Sequence, residues 1–325
     1  MLSRDAILQR LAPPPRGKTV RVLLDTDTYN EIDDQFALAY LYLRRDRIAL
    51  EAVTAAPFDN HRVESPAEGM AKSKDEIHRL LELLEDGGKT PVFAGSTRWL
   101  TSTDDRVESD AADEIVRRGM ASPDDDPLYV VAIGAITNVA SALNQEPKLT
   151  EKIVVCWLGS NSNLGASWGD GGENAKPIMA KWEFNMQQDQ DAARVVFNSG
   201  VPLVHFPCWP AAAMLHTSVP ELQRDLKGRS KVGDYLVDIV AGFASEDVGN
   251  ASRTDFAWGK EIWDLAPCVW LVESAMCGSR IIDAPILGDD GMWHDEPGRH
   301  PIREALVFSK TASMTDVFKT IGSAP

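Results

Sequence analysis

The chain has 325 residues, 44% of them apolar, with 33 Lys and Arg against 49 Asp and Glu, for a formal charge of −16. That length allows one large α/β domain or two smaller ones, with enough apolar residues for a real core. The acidic excess disfavours nucleic-acid polymers and anionic membrane surfaces as partners, because phosphate binding needs clustered Lys and Arg. No apolar run reaches the length of a membrane span, and Met1-Leu2-Ser3-Arg4-Asp5 does not begin a signal peptide. Cys156, Cys208, Cys268 and Cys277 show no C-x-x-C spacing. They read as buried thiols of a reducing compartment, so the expected location is the cytoplasm.

Residues 1–18 read as a short helix-like opening, followed by Pro13-Pro14-Pro15. Val22-Leu23-Leu24 then has the continuous apolar character of a buried parallel strand. Five acids follow within ten residues: Asp25, Asp27, Glu31, Asp33 and Asp34. From Phe36 to Tyr42 the pattern suits a helix buried on one side. The acids therefore sit where a strand ends and a helix begins, which is where open α/β sheets bind ligands. A hard cation with oxygen ligands, Ca²⁺ or Mg²⁺, would relieve their repulsion. The plainer reading is that Asp33 and Asp34 cap the helix and the others are solvated.

Leu50–Thr54 reads as a second strand, ending in a loop that carries Asn60. A long helix stops at Gly87-Gly88, and Pro91–Gly95 reads as a third strand with Trp99 just beyond it. Leu128–Ile133 is a buried strand followed by Gly134-Ala135-Ile136-Thr137-Asn138. Ile153–Leu158 is another, and a long Gly-, Ser- and Asn-rich loop holding Trp168 and Asn174 follows it. Trp182-Glu183-Phe184-Asn185 comes next. A carboxylate and an amide two residues apart share one side of an extended chain. Val201–Phe206 is a further strand. Residues 216–260 are expected to be largely helical, as a cover over the pocket or a subunit contact. In Lys260-Glu261-Ile262-Trp263-Asp264-Leu265-Ala266-Pro267, Asp264 could cap the following helix. Ile281-Ile282, Ala305–Phe308 and a helix over Thr315–Ile321 close the chain. The whole, residues 1–325, is expected to form a single α/β domain, doubly wound and mostly parallel.

Asp25-Thr26-Asp27 with Asp33-Asp34 resembles the aspartate signature of the nucleoside hydrolases, the inosine-uridine-preferring N-ribohydrolases. Here the turn from Thr28 to Ile32 is longer and lacks the usual Pro-Gly. Ile133-Gly134 through Asn138, Glu183-Phe184-Asn185 and Trp263-Asp264 resemble later elements of the same family, in the same order. The resemblance implies Ca²⁺-dependent hydrolysis of ribonucleosides by a homodimer or homotetramer. It implies a metal shell of Asp27, Asp34, the Ile133 carbonyl and Asp264, with Asp27 as general base. It places Asp33, Asn60, Asn174, Glu183 and Asn185 against the substrate, and Asp25 as a shaper of the loop. Where the family carries His-Asp, this chain has Trp263-Asp264. Trp263, with Trp99 or Trp168, could stack on the base instead, which would favour purines. Two other readings stay open. Leu23–Thr28 with Ser96 and Gly288-Asp289-Asp290 also fits a haloacid-dehalogenase-like Mg²⁺-dependent phosphatase, and a nucleoside- or ribose-binding protein without turnover would keep the same site.

Overall fold

The computed structural model describes residues 2–162, 180–247 and 259–325. After helix α1 (Arg4–Arg10) come strand β1 (Val20–Thr26), α2 (Asp34–Leu43), β2 (Ile48–Ala55), α3 (Pro66–Leu83) and β3 (Val92–Phe93). Then follow α4 (Asp110–Met120), β4 (Leu128–Ala132), α5 (Thr137–Gln145), β5 (Ile153–Leu158), α6 (Phe184–Gln188), α7 (Gln190–Ser199) and β6 (Leu203–Phe206). The remainder comprises β7 (His216–Ser218), α8 (Val219–Asp225), α9 (Lys231–Asp247), β8 (Gly259–Glu261) and α10 (Leu265–Val272). The chain ends with β9 (Cys277–Asp283), β10 (Ile286–Leu287), β11 (Trp293–His294), β12 (Pro301–Phe308) and α11 (Lys310–Ile321).

Eight strands form one sheet in the order β3-β2-β1-β4-β5-β6-β12-β9. All neighbours are parallel except β9, which runs antiparallel to β12 at the edge. β1, β4 and β5 are apolar almost throughout because helices cover both faces of the sheet. Two cores result. On one face Val22, Leu24 and Val131 pack with residues of α2, α10 and α11; on the other Leu23, Val130 and Val155 pack with residues of α4, α5 and α7. The chain winds outward from β1 to β3, then returns to β4 on the other side of β1. That reversal opens a crevice at the carboxyl ends of β1 and β4, the place where doubly wound sheets take ligands.

The structure differs from the sequence reading at β3 and β12. β3 is only two residues long. β12 starts at Pro301 rather than Ala305, because Arg303 and Glu304 interrupt its apolar pattern although both are satisfied inside the fold. The Arg303 side chain donates to the Leu11 carbonyl at 2.6 Å, and Glu304, buried, accepts from Ser162 Oγ at 2.6 Å. Gly288-Asp289-Asp290-Gly291 is the turn between β10 and β11, closed by the Gly288 N–H donating to the Met292 carbonyl at 2.9 Å. Among the described residues no helix is long and apolar enough to cross a membrane. The four cysteines are free thiols.

Gly95 shows why β3 stops where it does. A Cβ there would lie 1.8 Å from the Ala55 carbonyl oxygen and 2.6 Å from Asn138 Nδ2. Gly95→Ala therefore has to push back the end of β2. We expect it to lower the denaturant midpoint by the equivalent of ~1–3 kcal/mol, the usual cost of overpacking. An unchanged midpoint in urea unfolding would show that this contact is loose.

Candidate active site

The crevice is built from three parts of the chain. The first is the end of β1 and the loop behind it. Asp25 is the last acid inside the strand, buried, and accepts from Thr54 Oγ1 at 2.6 Å and Asn138 Nδ2 at 2.8 Å. Asp27, just past the end of the strand at Thr26, meets different surroundings. Asp27 is buried and neither of its carboxylate oxygens has a hydrogen-bond partner. The loop then turns, with the Asn30 N–H donating to the Asp27 carbonyl at 2.7 Å. Gln35 Nε2 donates to the Thr28 carbonyl at 2.7 Å, Arg62 to the Tyr29 carbonyl at 3.0 Å, and Asn60 Nδ2 to Asn30 Oδ1 at 2.8 Å. These contacts fix a turn that lacks Pro-Gly. Asp33 and Asp34 then open α2 without capping it. Asp33 stands at the N-cap position but makes no side-chain cap bond, and Asp34 accepts from Thr26 Oγ1.

The second part arrives from far along the chain. The Trp263 N–H donates to Asp33 Oδ2 at 3.1 Å, and Asp264, at the N-cap of α10, likewise makes no cap bond. Oxygens of Asp33, Asp34 and Asp264 lie within 4.8 Å of one another. The third part forms the opposite wall. Asn185 Nδ2 donates to the carbonyls of Ile133 and Leu158, each at 3.1 Å. Glu183 is the N-cap of α6, its carboxylate taking the N–H groups of Asn185 at 3.0 Å and Met186 at 2.9 Å as well as that of Ser160. The segment is thus a helix start and not the extended chain that the Glu-x-Asn spacing suggested. Gly134 keeps this wall close to Asp27, since a Cβ there would lie 2.9 Å from Asp27 Cγ.

Between the walls lies a cavity of about 270 Å³. Asp27, Asp33, Ile133, Glu183, Asn185, Trp263 and Asp264 all line it. A larger groove, about 550 Å³, lies between α8 and α11 and holds none of these residues.

Burial dominates the electrostatics. It pushes the Asp27 and Asp264 carboxyls well above the ordinary carboxylate range, and the neighbouring acids push them further. Burial likewise raises Asp33 to about 8, although the Lys260 ammonium pulls it back, and raises Asp34 to about 6. Asp25, hydrogen-bonded but also buried, reaches about 6. Two observations fit a hard divalent cation in this cluster: the partnerless oxygens of Asp27, and three further carboxylates within reach of one point. A cation would reverse the shifts, because its charge outweighs the local repulsion.

Residues 22–287 match the family model of the inosine-uridine preferring nucleoside hydrolases. The chain belongs to that family. Among curated relatives of this nucleoside hydrolase family member, the pyrimidine-specific ribonucleoside hydrolase RihB of Escherichia coli (strain K12 / DH10B) is 38% identical over 130 residues, 40% of this chain and 34% of that protein. The putative pyrimidine-specific ribonucleoside hydrolase RihB of Shigella boydii shows the same identity over 44% of its length. The chain thus spans less than half the length of the curated relatives it matches. Solved structures agree in fold. A plant nucleoside hydrolase superposes over 95% of this chain and 100% of its own, with a TM-score of 0.69 at 19% identity. The purine-preferring ribonucleoside hydrolase of Gardnerella vaginalis covers 94% of this chain and 98% of its own, with a TM-score of 0.68 at 18% identity.

Not every residue singled out from the sequence reaches the cavity. Asn60 stands behind it, holding Asn30, which does line it. Trp99 does not line it either, and its carbonyl accepts from Arg98. Asn174 and Trp168 lie outside the described residues. Conversely, no role was read from the sequence for Lys260, whose ammonium is largely buried and paired with Glu31. Nor did the sequence mark Cys208, which lines the cavity with Glu183. Trp182 also lines the cavity; its signal was there, a Trp directly before Glu-x-Asn. Ser96, the hydroxyl a phosphatase would need, is buried and spent on Asn138 Oδ1 at 2.8 Å, and Asp289 lies in the β10–β11 turn.

The raised carboxyls set a pH signature. Asp25, Asp33 and Asp34 keep their protons in the folded, metal-free chain up to pH 6–8 but lose them near 3.8 when unfolded. Between those values the unfolded chain binds fewer protons, so stability falls as pH rises. We expect the melting temperature in chelator to drop from pH 5 to pH 8, and Ca²⁺ to restore more of it at pH 8 than at pH 5. Differential scanning fluorimetry at the two pH values checks this; a melting temperature indifferent to Ca²⁺ at both would remove the cation from the cluster.

Proposed function

We propose that this chain hydrolyses the N-glycosidic bond of ribonucleosides, giving ribose and free base, with Ca²⁺ held by Asp27, Asp34, the Ile133 carbonyl and Asp264. The observation that carries the reading is the buried carboxylate cluster at the sheet's switch point, with both Asp27 oxygens unspent. The cation, when bound, lowers the pKa of a coordinated water and anchors the ribose diol. Asp27 takes the proton of the attacking water as general base. Asp33 and Glu183 accept from ribose hydroxyls. Asn185 has both Nδ2 protons committed to backbone carbonyls, which leaves Oδ1 as the atom that accepts a hydroxyl proton. As the bond from the anomeric carbon to the base nitrogen breaks, the base keeps the electron pair and the buried carboxylates stabilise the ribosyl cation.

The experiment is direct: incubate the protein and Ca²⁺ with a panel of ribonucleosides and follow free base. Release of base that stops in excess chelator supports the reading. Hydrolysis of a generic phosphate ester with no nucleoside turnover would favour a phosphatase, and binding without cleavage a nucleoside-binding protein. A site built around hydroxyl acceptors should also reject 2′-deoxy analogues by ~10⁴-fold, because polar groups are left unpaired. Comparable turnover of inosine and 2′-deoxyinosine would overturn the roles of Asp33, Glu183 and Asn185.

The choice of base rests on Trp263. Its indole lines the cavity where the family carries a His, and an indole N–H does not titrate, so it cannot protonate a leaving base. Its contribution is stacking, which favours the larger ring. We therefore expect purine over pyrimidine ribonucleosides, even though the curated relatives are named for pyrimidines. Steady-state kinetics on inosine, adenosine, uridine and cytidine decide it: higher kcat/KM for the pyrimidines would refute the stacking role.

A further inference from the structure

The cavity is graded from floor to mouth. Its floor is buried acid: Asp27, Asp33 and Asp264. Its mouth is aromatic and more exposed. Trp263 and Phe184 are half-buried, and Trp182 is 65% exposed. Of the exposed large apolar side chains among the described residues, Trp182 is the most exposed and the one that lines this cavity. A Trp left in water forgoes the burial that normally fixes so large a ring.

The backbone that carries Trp182 is held on both sides. The Lys181 N–H donates to the Gly291 carbonyl at 3.2 Å, and the Lys181 stem lies so close to Gly291 that a Cβ there would sit 2.1 Å from Lys181 Cδ. Glu183, the next residue, donates its N–H to the Ala180 carbonyl at 3.4 Å, and its carboxylate is tied to three backbone N–H groups. A fixed backbone thus presents a free ring. Trp182 comes from the Glu183–Asn185 wall, whereas Trp263 comes from the wall of Asp33 and Asp264. A ribosyl group seated on the acids of the floor has its base pointing to the mouth, between these two walls.

We propose that Trp182 is a specificity-determining residue of this site, its exposed indole closing over the face of the nucleobase from the wall opposite Trp263. The inference rests on the ribonucleoside-hydrolase reading above. The ring contributes to holding the base in the ground and transition states alike, so its loss changes KM and not kcat. Because it packs against little of the protein, its loss leaves the fold intact.

The test compares the full chain with W182A and W182F, in Ca²⁺, on inosine and uridine, with melting temperatures alongside. Stacking on one base corresponds to a ~10-fold effect on alanine substitution. W182A should raise KM for inosine by ~10-fold with kcat unchanged, raise KM for uridine less, and leave the melting temperature where it was. W182F should recover most of the loss, since it keeps an aromatic face. An unchanged KM in W182A, a fall in kcat at constant KM, or a lowered melting temperature overturns the assignment while leaving the hydrolase reading standing. An unsubstituted chain that releases base from neither nucleoside overturns both.

Discussion

Mutual repulsion among buried carboxylates is the constraint on which the rest of this structure depends. Asp27, Asp33, Asp34 and Asp264 are all nearly inaccessible to solvent and close enough to raise one another's affinity for protons. Burying one ionised carboxylate is costly, and burying several together more so. The fold answers with partial measures. Thr26 donates to Asp34, a main-chain N–H donates to Asp33, and Lys260 lends its charge from the side. Asp34 and Asp264 bring carboxylate oxygens within 4.8 Å of each other, and Asp34 raises the affinity of Asp264 for a proton. None of these reaches Asp27, whose oxygens stay bare. Carboxylates left undersatisfied in this way suit a hard cation, whose charge would offset their mutual repulsion.

Such a cluster needs segments remote in sequence to be brought together with little slack. Trp263 and Asp33 are 230 positions apart and meet through one backbone hydrogen bond. The sheet order makes this possible, because the reversal at β1 and β4 directs successive loops to one crevice. A second polar layer then sets the height of the loop. Asp25 takes protons from Thr54 and Asn138, and Asn138 in turn accepts from Ser96. That network ties the ends of β1, β2 and β3 to the start of α5. Asp25 and Asp27, two residues apart, are therefore held differently: Asp25 Oδ1 takes both hydrogen bonds and leaves Oδ2 without a partner, whereas both oxygens of Asp27 are without one.

Most of the sheet and the floor of the site were legible in the sequence. Parallel strands covered on both faces are continuous apolar runs, so Val22–Leu24, Leu128–Ala132 and Ile153–Leu158 announced themselves. The acids stood out because so many carboxylates in one loop have few structural uses. What failed did so for physical reasons. β12 hid behind Arg303 and Glu304, charges whose partners lie elsewhere in the chain. Glu183 and Asn185 were expected on an extended segment, but Glu183 satisfies the orphan N–H groups of a short helix, and a cap is hard to see when the helix has barely more than one turn. Asn60 was expected to face the substrate and instead holds Asn30, because the longer Thr28–Ile32 turn needs support that a Pro-Gly turn would not. Lys260 carried no signal at all: its role depends on an ion pair with Glu31, 229 positions away.

The division between floor and mouth bears on how one scaffold can serve different bases. On the proposed reading, ribose recognition would use buried groups whose replacement leaves charges or donors unpaired, and such sites discriminate sharply. Base recognition uses aromatic faces near solvent, which are tolerant and graded. Trp263 belongs to both layers. Its backbone N–H serves Asp33 on the floor, while its half-buried side chain packs against the core beside the cavity that the residue lines. Any residue other than proline at this position supplies the same N–H, so the side chain can be His or Trp without disturbing the acid cluster. The mode of leaving-group handling, by protonation or by stacking, is therefore separable from the machinery that holds the sugar. In this chain the mouth holds no His among its described lining residues, and two Trp lie on facing walls. On the proposed reading, the work left to the mouth would be to hold the base in place, while stabilisation of the reacting centre would fall to the carboxylates below.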